Sequence, residues 1–84
     1  MTIILGVKTE NRFESSKCIQ QILTEYGCFI KTRLGLHNIG QNICPKYALI
    51  LLEIPDKNKA LLIEQKLLDI SGIEIQRMDF EFNN

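Results

Sequence analysis

Apolar residues along the chain recur with two different periods, and the changes between these periods divide the chain into six segments. Short segments rich in branched residues or alternating with period two predict strands, whereas a spacing of three to four residues predicts helices. The predicted strands cover residues 3–8, 28–37, 47–54 and 73–82. A helix is predicted after the first strand and another after the third, which gives the order β-α-β-β-α-β.

The helix boundaries carry their own signals. Asn11, followed three residues later by Glu14, has the spacing of a capping box for the first helix, and Gly27 is predicted to end that helix in a left-handed conformation. Asp56 is predicted to cap the second helix, which stops at Ser71-Gly72.

This order predicts a ferredoxin-like α+β fold. Right-handed crossovers place both helices on one face of an antiparallel sheet, with the first and third strands central and the second and fourth at the edges. The third strand, YALILLEI, is almost entirely apolar, as a central strand should be. Since the sequence has no repeat or linker, we expect residues 1–84 to form a single domain.

Alternation along the strands also predicts an apolar open face, opposite the helices. The residues predicted to face that side are Ile4, Phe29, Lys31, Arg33, Gly35, His37, Tyr47, Leu49, Leu51 and Glu53. Because a solvated sheet face is normally polar, its apolar members indicate an interface. We expect a homodimer joined through Ile4, Phe29, Tyr47, Leu49 and Leu51; the alternatives are a monomer with an apolar surface and a different partner protein.

Candidate ligand-binding residues lie beside the long loop at residues 38–46. The prediction places Arg33, Gly35 and His37 at one end of the open face, with Cys44 just before the third strand. The Arg33 guanidinium has the geometry to bind a carboxylate or phosphate. Gly35 has no side chain, so a ligand can come close to the backbone there. The alternative for Arg33 is a salt bridge to an acid such as Glu53.

His37 and Cys44 are also a candidate metal pair. Each chain offers one imidazole and one thiolate, and a twofold axis would assemble the four ligands that zinc requires. In the alternative interpretation, His37 bonds to a loop carbonyl and Cys44 packs as a small apolar residue. A transition metal is therefore a candidate cofactor, although the predicted fold does not require one.

Composition and motifs narrow the function. Ten basic residues balance ten acidic ones, so we expect no direct nucleic-acid binding. With one histidine, no GxSxG and no phosphate-binding glycine loop, we expect no enzyme activity. The start, MTIILGVKTE, predicts neither a signal peptide nor a membrane span. We therefore expect a cytoplasmic protein whose three cysteines, Cys18, Cys28 and Cys44, are reduced.

Several stretches together resemble a known family. The second strand reads IKTRLGLH, a C-P follows, and ALILLEI and ISGIEI come later. Over essentially the whole chain this resembles the small ACT-like proteins known as iron-only hydrogenase system regulators. The resemblance implies a homo-oligomer, either a dimer or a dimer of dimers, with a regulatory role and a small-molecule or metal effector.

A more distant resemblance is to the C-terminal domain of the nickel-responsive repressor. It implies that His37 and Cys44 stand for one histidine and the cysteine of that domain's metal site. Gly35 stands where a second histidine is needed, and we expect no counterpart of that repressor's DNA-binding arm within residues 1–84.

Overall fold

The computed structural model describes residues 1–10, 12–36 and 48–81, and it confirms the predicted order of elements. Four strands and two helices account for most of these residues, and a single 3-10 turn follows the first helix. The elements are β1 (Thr2–Thr9), α1 (Arg12–Glu25), the 3-10 turn (Gly27–Phe29), β2 (Thr32–Leu36), β3 (Ala48–Ile54), α2 (Lys57–Leu68) and β4 (Ile73–Phe80).

The strands of the described residues form one antiparallel sheet in the order β2-β3-β1-β4. β1 and β3 are central and β2 and β4 are edges, as predicted. β1 is paired on both sides along its length, so that Leu5 lies opposite Leu52 on β3 and Arg77 on β4. The α+β ferredoxin-like fold is thereby confirmed.

The core lies between the sheet and the two helices. Alternate β1 residues are buried, as expected for a strand with helices on one side only. The buried apolar side chains are Ile3, Leu5, Val7, Ile19, Leu23, Leu52, Ile54, Ala60, Ile63 and Leu67. Each larger member contributes about 1.5–3 kcal/mol through burial. Because α1 and α2 both cover this face, no helix of the described residues lies against the other face of the sheet.

Two of the predicted helix boundaries have different outcomes. Asp56 caps α2 as predicted, because its Oδ1 accepts a hydrogen bond from the Lys59 amide at 3.1 Å. The prediction for Gly27 is wrong, since this residue begins the 3-10 turn and has no positive φ. Among the described residues, the left-handed glycine is Gly72, with φ 80°, in the turn before β4. Asn11 lies outside the described residues.

The face assignment of β2 is also wrong. The prediction counted alternation from Cys28, but that residue belongs to the 3-10 turn and β2 begins only at Thr32. The observed register places Arg33 opposite the buried Leu52, and Leu34 opposite Leu51. Directly opposed residues share a face, so Arg33 lies on the helix side and Leu34 on the open side. A one-residue change of phase moves every side chain of a strand to the other face.

Thr9 provides a test of the core itself. It is 1% exposed, and its Oγ1 has no hydrogen-bond partner within the described structure. An unpaired buried hydroxyl is destabilising, and valine has nearly the same shape. We expect Thr9→Val to raise the free energy of unfolding by about 1 kcal/mol in urea titrations. Thr32→Val is the control: its hydroxyl donates to Glu53 at 2.7 Å, so it should give no gain. If Thr9→Val lowered the free energy of unfolding, the interpretation of Thr9 Oγ1 as an unpaired buried hydroxyl would be wrong.

Candidate functional site

The open face of the sheet carries a continuous apolar stripe. We define the apolar stripe as Phe80, Met78, Ile4, Leu51, Leu34 and Leu49. The register shows that it runs diagonally: Met78 on β4 lies opposite Ile4 on β1, and Leu51 on β3 lies opposite Leu34 on β2. Ile4 on β1 and Leu51 on β3 are diagonal neighbours. Ile4 pairs with Glu53, which is two residues from Leu51, and Leu51 pairs with Gly6, which is two residues from Ile4. The stripe therefore crosses all four strands.

The stripe is well exposed in the single chain. The exposed fractions are 51% for Met78, 49% for Leu34, 44% for Phe80 and 37% for Leu49. Ile4 and Leu51, at the centre, are half-buried by their neighbours. Scattered apolar residues on a surface are ordinary, but a contiguous set crossing a whole sheet is typical of a contact surface.

Gly6 lies beside the centre of the stripe, on the same face as Leu51. A Cβ at this position would lie 3.6 Å from Leu51 Cδ2 and 3.7 Å from the Gln76 carbonyl oxygen, which are ordinary contacts. The chain's own packing therefore does not require a glycine here. A glycine inside a central strand weakens the strand and often marks a place where another surface comes close.

Polar residues occupy the two remaining corners of the open face. In the first corner, Glu53 accepts a hydrogen bond from Thr32 Oγ1 at 2.7 Å, and its Oε2 lies 3.9 Å from Lys31 Nζ. We call this the Glu53 corner.

The opposite corner is built from β1 and β4. Lys8 lies opposite Glu74, and Gln76 Nε2 donates to Glu74 Oε2 at 3.4 Å. We call this the Gln76 corner. Each corner contains one basic and one acidic residue, so the open face is apolar along one diagonal and electrically balanced on both sides of it.

Two of the four predicted ligand-binding residues do not lie on the open face. Arg33 and Gly35 lie on the helix side, opposite Leu52 and Ile50. The Arg33 guanidinium donates through Nη2 to Gln20 Oε1 on α1, not to Glu53. His37 and Cys44, the other members of the site and the candidate metal pair, lie outside the described residues.

The predicted interface residues have mixed outcomes. Ile4, Leu49 and Leu51 lie on the open face as predicted. The placement of Phe29 there is wrong: it belongs to the 3-10 turn, and its ring centroid lies 4.6 Å from Lys59 Nζ on α2. Tyr47 lies outside the described residues.

Three stripe residues were missed, namely Leu34, Met78 and Phe80. Leu34 was assigned to the wrong face, and β4 was not divided into faces at all. Its sequence, IEIQRMDF, holds a usable signal, because the apolar positions change phase after Ile75. Ile73 and Ile75 pack towards the core, whereas Met78 and Phe80 lie on the open face.

The other chemistry-bearing side chains of the described residues are dispersed. Within residues 1–10, 12–36 and 48–81 there is no group of three or more histidine, cysteine or acidic residues placed to hold a metal ion. Cys18 and Cys28 are free and exposed. In the same part of the chain, no helix has both the length and the apolar character needed to cross a membrane.

Comparisons with known proteins extend the fold assignment. An uncharacterized protein from Thermotoga maritima superposes with a TM-score of 0.75 at 23% identity, over 92% of each chain. A de novo designed protein, Foldit4, has a TM-score of 0.55 at 10% identity, over 95% of this chain and 97% of its own. A Deinococcus radiodurans protein named "putative antibiotic biosynthesis monooxygenase" has a TM-score of 0.53 at 12% identity, over 100% of this chain and 96% of its own.

At these identities the likenesses show the fold alone. No protein-family model and no curated protein matches the chain.

Proposed function

We propose that this chain is a non-catalytic regulatory module that acts as a homodimer, with two copies joined face to face through the apolar stripe. The observation that carries the proposal is the stripe itself, which crosses a sheet face left uncovered by both helices of the described part of the chain. The regulatory role is supported by the sequence resemblance to the ACT-like regulators.

The distribution of charged residues favours the open face of the sheet, and not its edge strands, as the dimer interface. The β4 edge carries Glu74, Arg77 and Asp79, and Arg33 lies on the β2 edge. Charged side chains on edge strands oppose pairing with another strand. On the open face the charges are confined to the two corners, and the stripe between them is uncharged.

The size of the stripe suits a dimer of moderate affinity. Completing the burial of six half-exposed side chains in each copy contributes on the order of 10 kcal/mol, and association costs offset part of this. Dimerisation at micromolar concentration requires a net free energy of about 8 kcal/mol, which corresponds to a dissociation constant of about 1 μM. A domain of 84 residues buries a smaller fraction of its unfolded surface than a larger domain does. Burial of further apolar surface against a second copy therefore adds a substantial share to its stability.

The dimer is tested by measuring the molecular mass in solution. Sedimentation equilibrium at a series of micromolar concentrations should give twice the single-chain mass of 9.7 kDa. A mass that stays at the single-chain value throughout that range would refute the proposed dimer.

We place the effector of this module on the helix side of β2. There Arg33 contacts Gln20, which also lines a shallow cleft of about 580 Å³ along α1, together with Lys17, Gln21, Thr24 and Glu25. Gly35, on the same side of β2, has open space where a Cβ would be. Lys17 in the cleft and Arg33 beside it outnumber the one acidic lining residue, Glu25, which favours a small carboxylate or phosphate compound.

This assignment predicts an anion effect that depends on Arg33. Thermal denaturation against a panel of small carboxylates and phosphates should reveal a compound that raises the melting temperature by about 2–4 °C, and Arg33→Met should abolish the rise. Arg77→Met is the matched control, because Arg77 pairs with Glu64 away from this cleft. A rise that survives Arg33→Met, or a panel without effect, counts against the effector site.

A further inference from the structure

We infer that the twofold axis of the dimer runs along the apolar stripe, so that the Glu53 corner of each copy covers the Gln76 corner of the other. The inference rests on the proposed homodimer and specifies how its two sheets are oriented. Its evidence is the distribution of charge around the stripe and the position of Gly6.

Symmetry limits the possible arrangements. In a face-to-face twofold dimer each copy presents the same surface, and the axis lies between the sheets, parallel to them. For the stripe of one copy to cover the stripe of the other, the axis must run either along the stripe or across it. Both axes pass through the same point, midway between Ile4 and Leu51, because these residues occupy neighbouring positions at the centre of the stripe.

An axis across the stripe brings like charges together. It places each polar corner on the same corner of the other copy, so that Glu53 faces Glu53 and Thr32 faces Thr32. Glu53 lies on the central strand β3 and its side chain is 27% exposed, which restricts its movement away from the contact. Two carboxylates opposed in a partly dehydrated interface disfavour this orientation, because Lys31 is 68% exposed and its Nζ lies 3.9 Å from Glu53 Oε2, which neutralises the carboxylate only in part.

An axis along the stripe avoids this repulsion. With ordinary strand spacings, Thr32 of one copy lies over Gln76 of the other, and Glu53 lies between Gly6 and Gln76. The Gln76 amide can donate to the Glu53 carboxylate, and its existing bond to Glu74 is long, at 3.4 Å. The absence of a side chain at Gly6 leaves room for the incoming carboxylate, which gives this glycine a role that the single chain does not supply.

The same axis also matches the apolar residues. Ile4 and Leu51 lie on the axis and meet their counterparts, whereas Leu34 of one copy meets Leu49 of the other. The strands of the two copies then cross steeply, closer to the orthogonal class of sheet packing than to the aligned class.

Site-directed cross-linking distinguishes the two axes. In a background in which Cys18, Cys28 and Cys44 are serine, Thr32→Cys and Gln76→Cys are prepared as separate proteins. The proteins are treated with a short bis-maleimide alone and as an equimolar mixture; this reagent spans the roughly 10 Å between packed sheets. Circular dichroism and sedimentation before treatment establish that both are folded dimers.

We expect the mixture to give roughly tenfold more cross-linked dimer than either protein alone. Only the mixture contains dimers in which a cysteine at position 32 of one copy faces a cysteine at position 76 of the other, within the reagent's reach. Self-cross-linking of the Thr32→Cys protein would place the axis across the stripe and overturn the inference. A dimer in sedimentation that gives no cross-link in the mixture would overturn it as well. A monomer before treatment, also in the serine background, would instead refute the proposed function on which the inference rests.

Discussion

Replacement of Leu49 by lysine is expected to leave the protein monomeric at micromolar concentrations, whereas the same replacement of Leu61 should leave the dimer intact. The two leucines have nearly the same exposure in the single chain, 37% and 38%. They differ in position, since Leu49 belongs to the apolar stripe and Leu61 lies on α2. Any difference in association therefore reports which surface is buried, not how apolar the residue is.

The expected size of the Leu49→Lys effect follows from the symmetry. Each dimer loses two leucine contacts at about 1.5–3 kcal/mol each, and two ammonium groups must be dehydrated or excluded. The dissociation constant should rise by at least roughly a hundredfold, since every 1.4 kcal/mol is a factor of ten.

Sedimentation velocity of the wild-type protein and both variants at matched concentrations checks this result. Circular dichroism spectra should be unchanged for the two variants, because both side chains are exposed in the single chain. Dissociation caused by Leu61→Lys but not by Leu49→Lys would move the interface to α2 and exclude the stripe.

The parts of the fold that could be predicted are those in which one local pattern determines the answer. On β1, Gly6 and Lys8 fall on one side and Ile3, Leu5 and Val7 on the other, so the buried side could be assigned from sequence, and the apolar third strand indicated a central position. Asp56 could be recognised as a cap because its carboxylate acts only three residues along the chain. Strand order then followed from general rules of chain connection, without reference to individual side chains.

The phase of β2 could not be predicted in the same way. Ile30, Leu34 and Leu36 occur at even positions, which suggests a single apolar face. The chain bends at Lys31, whose amide donates to the Glu53 carbonyl oxygen at 2.8 Å, so Ile30 packs towards the core while Leu34 does not. Alternation is informative only within an uninterrupted strand, and the 3-10 turn and the bend at Lys31 interrupt the extended chain before β2.

The candidate site was accordingly predicted in part. Its centre, Ile4 and Leu51, lies on central strands whose faces were evident from sequence, whereas its ends lie on the edge strands. On β4 the residues that face the helices are apolar up to Ile75 and charged after it. Arg77 is tolerated on that side because its Nη1 lies 2.9 Å from Glu64 Oε1 on α2. Edge strands have one neighbour and mixed burial, so the period-two pattern specifies them less strongly.

Alanine substitutions at adjacent positions of β1 should separate the stability of the fold from that of the dimer. Leu5 is fully buried against the helices, and Ile4 points to the opposite face of the sheet. Leu5→Ala should lower the free energy of unfolding by about 2–5 kcal/mol, through lost burial and the cavity left behind. This loss should be present at every protein concentration, because it arises within one chain.

Ile4→Ala should act mainly through association. The melting temperature of a dimer rises with protein concentration, and loss of a central interface contact reduces that dependence. Thermal denaturation of both variants at several concentrations therefore gives two distinct signatures: a constant decrease for Leu5→Ala, and for Ile4→Ala a flatter concentration dependence than that of the wild type. If the wild-type melting temperature does not vary with concentration, or if Ile4→Ala shows the same dependence as the wild type, the stripe does not join two copies under these conditions. The core contribution of Leu5 would stand in either case, since its burial by α1 and α2 needs no second chain.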